Sequence, residues 1–207
     1  MFLEIIMQKE QAMENTSRRQ AKINAILDSA RTVFCRKGFI GVTMKDIIDE
    51  CGISRGGIYL YFSSVDDVYI AVMNRRLTRK FDDIRAAVKA NTDFDTLFKR
   101  YFEEHKQRLM HMENSLLRSM YEYFFTHKSG DDHKFQQSQM QKVKETISEI
   151  LMLGVRQGRL KGDNIDNLAE HFMFEIEGLS VLALFGGLTE ECMQRQFSVM
   201  ESMLDRI

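Results

Sequence analysis

Apolar residues recur along this chain at intervals of three and four, the spacing that lines one face of an α-helix. Ile23, Ile26, Leu27, Ala30, Val33 and Phe34 form such a face and predict a first helix from about Ser17 to Lys37, stopped by Gly38. Thr43, with Asp46 three residues on, predicts a capped second helix that buries Ile47, Ile48 and Cys51 and ends at Gly52. After the brief turn Gly52-Ile53-Ser54, Ser54 can cap a third helix of barely two turns, Arg55 to Phe62. Ser64, with Asp67 at the third helical position, opens a long fourth helix through Val68, Val72, Leu77 and Ile84 to about Ala90. Five more helices are expected, at about Asp93 to Met112, Ser115 to His127, Asp132 to Gln157, Ile165 to Phe185 and Glu190 to Arg206. Their separators are the Ser-Gly-Asp-Asp run at 129–132, Gly158 with Gly162, and Gly186-Gly187. The pattern predicts an all-α fold of about nine helices.

Composition strengthens that reading. Proline is absent from all 207 residues, and a proline inside a helix costs about 3 kcal/mol. Hydrophobic residues at 44% and charged residues at 29% exclude a disordered chain. The length suits one head packed on one body, with expected parts at 1–14 (an N-terminal extension), 15–64 (a three-helix head) and 65–207 (a helical body). The apolar opening MFLEIIM is interrupted by Glu4 and is far too short for a signal core or a membrane span. Cys35, Cys51 and Cys192 are widely spaced, as unbridged thiols in a reducing cytosol would be. A cytoplasmic protein without membrane contact is expected.

The net charge of −1 conceals a division. Residues 15–81 carry 12 Lys and Arg against 6 Asp and Glu, whereas residues 82–207 carry 16 against 21. A basic head on an acidic body is what phosphate binding at one end requires; ordinary surface scatter is the alternative.

Two short helices joined by a three-residue turn with a glycine form a helix-turn-helix, whose second helix enters the DNA major groove. At about 100° per residue, Ile58 and Phe62 share one face of the third helix, and Gly56, Gly57 and Leu60 fall on the opposite one. Each glycine there costs about 1 kcal/mol relative to alanine, which calls for close approach to DNA or a tight helix–helix contact inside the head. Leu60 suits a thymine methyl and Arg55 a guanine edge. Tyr59 and Tyr61 can donate hydroxyls to phosphates, while Lys45, Arg18 and Arg19 can neutralise the flanking backbone.

The stretch from Arg18 to Val72, centred on TMKDIIDECGISRGGIYLYFSSVDDVY, resembles the DNA-binding domain of the TetR family of repressors. The shared pattern runs through Thr43 and Lys45, then Gly52, Ile53, Ser54, Arg55, Gly56, Gly57, Ile58 and Tyr59, and closes with Tyr61 and Phe62. Two positions depart from it. Val65 stands where the family often has a phosphate-binding lysine, and Gly57 where a Thr or Ser commonly faces the bases. Beyond residue 90 only QGRLKGDNIDNLAE at 157–170 is similar to a turn and helix start common in the family.

The resemblance implies a transcriptional regulator, a repressor in most such proteins, that binds a palindromic operator in double-stranded DNA as a homodimer and is released by a small effector. A two-fold pair places recognition helices about 34 Å apart, the separation of two half-sites. Met193, Phe197, Met200, Leu204 and Ile207, with Leu168, Phe172, Ile176, Leu179 and Ala183 before them, have the spacing of a packing seam. By the resemblance they form a four-helix dimer interface; a purely internal core is the other reading. Among the middle helices, Phe98, Tyr101, Phe102, His105, Met120, Tyr121, Tyr123 and Phe124 are candidates to line an effector pocket, since Met and aromatic side chains line adaptable sites.

An all-helical enzyme is the main rival, and none of its chemistry is organised here. The chain has no Glu-x-x-His pair, Walker loop or Gly-x-Ser-x-Gly elbow. His105 and His111 stand about 120° apart around a helix, His127 and His133 flank a loop, and His171 with Glu175 reads better as an ion pair than as a metal site. Cys192 has no resolving cysteine nearby. No cofactor, metal or enzymatic activity is expected. A DNA-bound scaffold that senses nothing shares every head residue and stays open as an alternative.

Overall fold

The computed structural model describes residues 2–112 and 115–204, with backbone alone at 2–10 and 12. Among them nine α-helices follow one another: α1 (Phe2–Lys37), α2 (Met44–Cys51), α3 (Arg55–Tyr59), α4 (Val65–Lys89), α5 (Phe94–Met110), α6 (Leu117–Thr126), α7 (Gly130–Arg156), α8 (Ile165–Leu184) and α9 (Glu190–Ser202). Ile207, the last residue of the expected seam, lies outside the described residues.

Three boundaries differ from expectation, each for a local reason. Helix α1 begins at Phe2 rather than Ser17, because no Gly or Pro precedes Gly38 to break it. Helix α3 stops at Tyr59. Leu60 keeps a helical backbone, but the N–H groups of Tyr61 and Phe62 both turn back to the Ile58 carbonyl. Helix α7 starts at Gly130, since Ser129 and Asp132 form a reciprocal capping box in what reads by composition as a loop.

The first three helices and the start of α4 enclose one core. Ile26, Ala30, Val33 and Phe34 from α1 meet Ile47, Ile58, Val68 and Tyr69, all fully buried. A second core fills the body, where Phe94, Leu97, Leu151, Ala169, Phe172 and Met193 are fully buried among α5, α7, α8 and α9. Gln157 pins the α4–α5 turn to the end of α7. Its Oε1 accepts from Phe94 N at 2.9 Å, and its Nε2 donates to the Thr92 carbonyl at 2.9 Å.

Two elements cross from head to body. Helix α4 contributes Val68, Tyr69 and Val72 to the head core and Ile84 to the body core. Helix α6 packs against α1, and its Glu122 carboxylate accepts from the backbone N–H of Phe39 at 2.6 Å and of Ile40 at 3.0 Å. That capture sits at Gly38, where the chain leaves α1 with φ +79° and a Cβ would strike the same carboxylate. Around it Phe39, Tyr69 and Tyr123 make edge and tilted contacts at 4.9–5.0 Å, and the His127 ring stacks on Tyr123 at 4.1 Å.

Candidate nucleic-acid interface and the cavity behind it

The head's outer surface is built by local capping. Thr43 accepts from Asp46 N, and the Asp46 carboxylate accepts from both Thr43 N and its hydroxyl. Lys37 also reaches that carboxylate, and its hydrogen bond, followed by those from Thr43, holds the Asp46 pKa down to about 2. Helix α2 therefore stays capped at any physiological pH, and Lys45 projects from its first turn exposed. Ser54 caps α3 by accepting from Gly57 N at 3.2 Å. Ser64 caps α4 by accepting from Asp67 N at 3.1 Å.

Ile58 is the anchor of α3, with no exposed surface; Phe62 is only half-buried. The two glycines part company. Gly56 is exposed, and a Cβ there would meet nothing within 4 Å, so its bareness faces open space. Gly57 instead lies against its own turn, with Ile53 Cγ1 at 2.9 Å from an added Cβ. Gly57 thus packs against the turn that precedes its own helix, which is neither the open face of Gly56 nor a contact between two helices. Leu60 is 77% exposed beside Tyr59 at 44%, an arrangement with no benefit to a free surface. The Arg55 guanidinium lies 5.9 Å from the centre of the Tyr59 ring, and Arg19 lies 5.6 Å from that of Tyr61. Each tyrosine thus holds an exposed arginine at the border of the helix. Arg18 is drawn towards Glu14 by an exposed ion pair at 2.6 Å, one turn further back.

The dimer seam requires a correction. Phe172, Ile176, Leu179, Met193, Met200 and Leu204 are buried inside the subunit, with Leu168 and Phe197 packed against the same core. They fill the protein's own interior, because the face with the strictest seam spacing is the one that meets α5. The outer sides of these helices carry a different apolar set: Phe174 at 56% exposure and Leu182 at 45% on α8 with Phe185 at 80% as its C-cap, and Val199 at 48% on α9 with Met203 at 42% as its C-cap.

The structure brings some of the candidate pocket residues to one cavity and leaves others away from it. A partly open cavity of about 90 Å³ lies among α4, α5, α6, α7 and α8. Tyr101, His105, Met120 and Phe124 line it as expected, with Met73, Leu117, Met140 and Ile176 adding apolar wall. Phe98 and Phe102 do not; they pack towards Phe172 and Phe197. Tyr123 belongs to the head–body aromatic cluster, donating its hydroxyl to Asp132 at 2.9 Å. Tyr121 reaches the wall only indirectly, its hydroxyl donating to Glu177 at 2.5 Å.

The residues missed are the charged ones: Arg76 and Lys80 from α4, Arg108 from α5 and Glu177 from α8. Arg76 and Lys80 had counted towards the basic head, yet they face the body. Their signal was periodic, since Met73, Arg76, Leu77 and Lys80 share one stripe of α4. His105 is buried between two of these groups, with Arg108 Nη2 at 2.6 Å from Nδ1 and Lys80 Nζ at 3.0 Å from Nε2. A guanidinium can only donate, so Nδ1 offers its lone pair and Nε2 carries the proton. The Lys80 contact is then a hydrogen bond only with the amine as acceptor. In agreement, burial first, then Arg108 and Arg76, pull the Lys80 pKa down to about 7, and burial holds His105 well below its usual value. Among the described residues, no group of three or more His, Cys, Asp or Glu side chains could hold a metal ion, and no helix is long and apolar enough to cross a membrane.

Comparison with known proteins bears on both regions. Residues 26–72 match the profile of bacterial regulatory proteins of the tetR family, and residues 97–192 that of the tetracyclin repressor-like C-terminal domain. The chain is 28% identical over 174 residues, 83% of either chain, to the uncharacterised HTH-type transcriptional regulator YfiR of Bacillus subtilis. The solved structure of the reduced form of E. coli NemR superposes with a TM-score of 0.74 at 13% identity, covering 90% of this chain and 99% of that one. A TetR transcription regulator from Haloarcula marismortui gives 0.73 at 17% identity, covering 90% and 100%. At such identities the two structures speak for the fold alone.

Proposed function

The chain belongs to the TetR family of transcriptional regulators, and on that premise we propose that it is a repressor that grips a palindromic operator as a homodimer and lets go when a small molecule fills the cavity. The observation that carries the DNA reading is α3: pinned from beneath by Ile58, open at Gly56, flanked by Arg55 and Tyr59, with Leu60 left in water. Arg55 is the side chain for a guanine edge, and Lys45, Arg19 and the tyrosine hydroxyls are for phosphates.

The partner for the dimer is a second copy through the outer faces of α8 and α9. Phe174, Leu182, Phe185, Val199 and Met203 are apolar and exposed along the last two helices and at their C-caps, and Gly178, exposed between Phe174 and Leu182, leaves room for a crossing helix. Release follows from shared walls. Helix α4 and helix α6 both line the cavity, and both hold the head, α4 through its core residues and α6 through Glu122. A ligand that favours one position of these helices by about 1.4 kcal/mol changes operator affinity tenfold.

Selection of bound duplexes from a random pool tests the DNA reading; the expected product is an inverted repeat whose affinity falls steeply with salt. Recovery of no preferred sequence at low salt overturns it. For the dimer, Leu182→Glu combined with Phe185→Glu should sediment as a monomer, and an unchanged dimer would place the interface elsewhere.

A further inference from the structure

The cavity wall poses a problem of charge. Arg76, Lys80 and Arg108 all face it, and the only carboxylate among the described residues that line it is Glu177, which accepts the Tyr121 hydroxyl. Half-buried cations set beside one another are unfavourable unless an anion completes the group. The contacts that exist do not supply one. His105 lies between Lys80 and Arg108 as a neutral acceptor for the guanidinium, and Lys80 rests over the Tyr101 ring at 4.5 Å. Arg108 Nε is buried with no hydrogen-bond partner, an orphan donor of the kind that costs stability unless something answers it.

The rest of the wall has the opposite character. Met73, Leu117, Met120, Phe124, Met140 and Ile176 are apolar, flexible or aromatic, and come from four helices. Two outer grooves share these cations: one sets Arg76 and Lys80 among Arg31, Arg79, Asp28, Asp83 and Glu104, and the other holds Arg76 and Arg108 beside Arg31 with no carboxylate in its described lining. An anion at Arg76, Lys80 and Arg108 therefore sits where the cavity meets these grooves, on the side of the one without carboxylates, with its apolar part pointing inward.

We infer that the effector is an amphipathic organic anion, its carboxylate or phosphate-like head held by Arg108, Arg76 and Lys80 and its apolar body lying among the methionines and Phe124. The assignment rests on the sensing role proposed for this cavity and specifies the ligand's chemistry. Charge and shape are both needed: an inorganic anion lacks the apolar part, and an alkyl cation meets the two guanidinium groups of Arg76 and Arg108. Anion binding also restores the positive charge on Lys80, so it takes up protons near neutral pH. The groups facing that amine are His105, Tyr101, Arg108 and Glu104 from α5 and Arg76 from its own helix.

Decanoate, decanol and decyltrimethylammonium share one chain length and differ in head charge. Calorimetric titration of each into the full-length protein, at concentrations below micelle formation, should show decanoate binding and the other two bound at least about tenfold more weakly. Arg108→Met should lower decanoate affinity by about tenfold to a hundredfold and leave decanol unchanged. Because that substitution removes a half-buried charge, it should fold; Lys80→Met provides an independent second variant. Equal or tighter binding of the alcohol or the ammonium ion, no binding by any of the three, or decanoate binding indifferent to both variants overturns the assignment. Operator release separates the two readings. Decanoate that binds without weakening the selected operator complex leaves the anion class standing and sinks the sensing role. Release by the alcohol or the cation keeps the sensing role and sinks the anion class.

Discussion

The head surface and the cavity wall both use arginine, under opposite conditions. Arg19 and Arg55 are exposed, each drawn to a tyrosine close by, and each is solvated in the free protein. Arg76 and Arg108 are half-buried, belong to different helices, and burial lowers the pKa of both. The first arrangement is nearly free of charge cost in the empty protein. The second is not, and its persistence in a folded core makes sense for a site that waits for an anion. Readout of a permanent polyanion needs cations on show, whereas sensing needs a cluster whose energy changes when the ligand arrives.

The largest expected effect tests the rigidity of the head. Ile58→Ala removes the fully buried anchor of α3 and should destabilise the protein by about 2–5 kcal/mol, read as a lower denaturation midpoint with loss of operator binding. A variant that keeps its stability but loses DNA would mean that Ile58 is not the anchor. Arg55→Ala should weaken the operator complex by about 1–3 kcal/mol and relax one base preference without changing stability. Binding assays on single-base operator variants decide it, and an equal loss on every sequence would demote Arg55 to a phosphate contact.

On the cavity side the sign reverses. Arg108→Met should leave the ligand-free protein as stable as before or more stable by about 1 kcal/mol, since an orphaned charge is replaced by an apolar group. A clear loss of stability in thermal denaturation would show that Arg108 is structural. The smallest effect is in pH. Because the Lys80 pKa is about 7 in the folded protein and 10.5 is its ordinary value, the folded state carries a charging penalty at acid pH that is relieved as pH rises from about 7 towards 10. The ligand-free protein should therefore gain stability across that window relative to Lys80→Met. A difference that moves the other way would mean that the lysine is stabilised as a cation.

How much could be read in advance followed the range of the interactions. Thr43 with Asp46, Ser54 with Gly57, and Ser64 with Asp67 act across three residues, so the caps and the helices of the head were legible as spacing. The box formed by Ser129 and Asp132 obeys the same rule and was obscured by the neighbouring Gly130. Seam and pocket were less legible because periodicity reports that a helix has an apolar face and not what that face meets. Phe172 and Met193 share the spacing of an interface yet lie in the subunit core, and Phe98 and Tyr123 are as aromatic as Phe124 but do not line the cavity. Gly56 and Gly57 look alike in sequence, and only the position of Ile53 separates them.

From the order of its residues alone this chain had already decided its helices, its caps, the short α3 with Arg55 at its start, and its membership in a family of DNA-binding regulators. Each of these depends on contacts within a few positions of the chain. Tertiary packing decided that Arg76 and Lys80 turn away from the DNA side, that Arg108 and His105 meet them from another helix, and that Glu122 clasps the end of α1 from more than eighty residues away. Those groups are brought together by the burial of two cores, and no local pattern states which buried faces will meet.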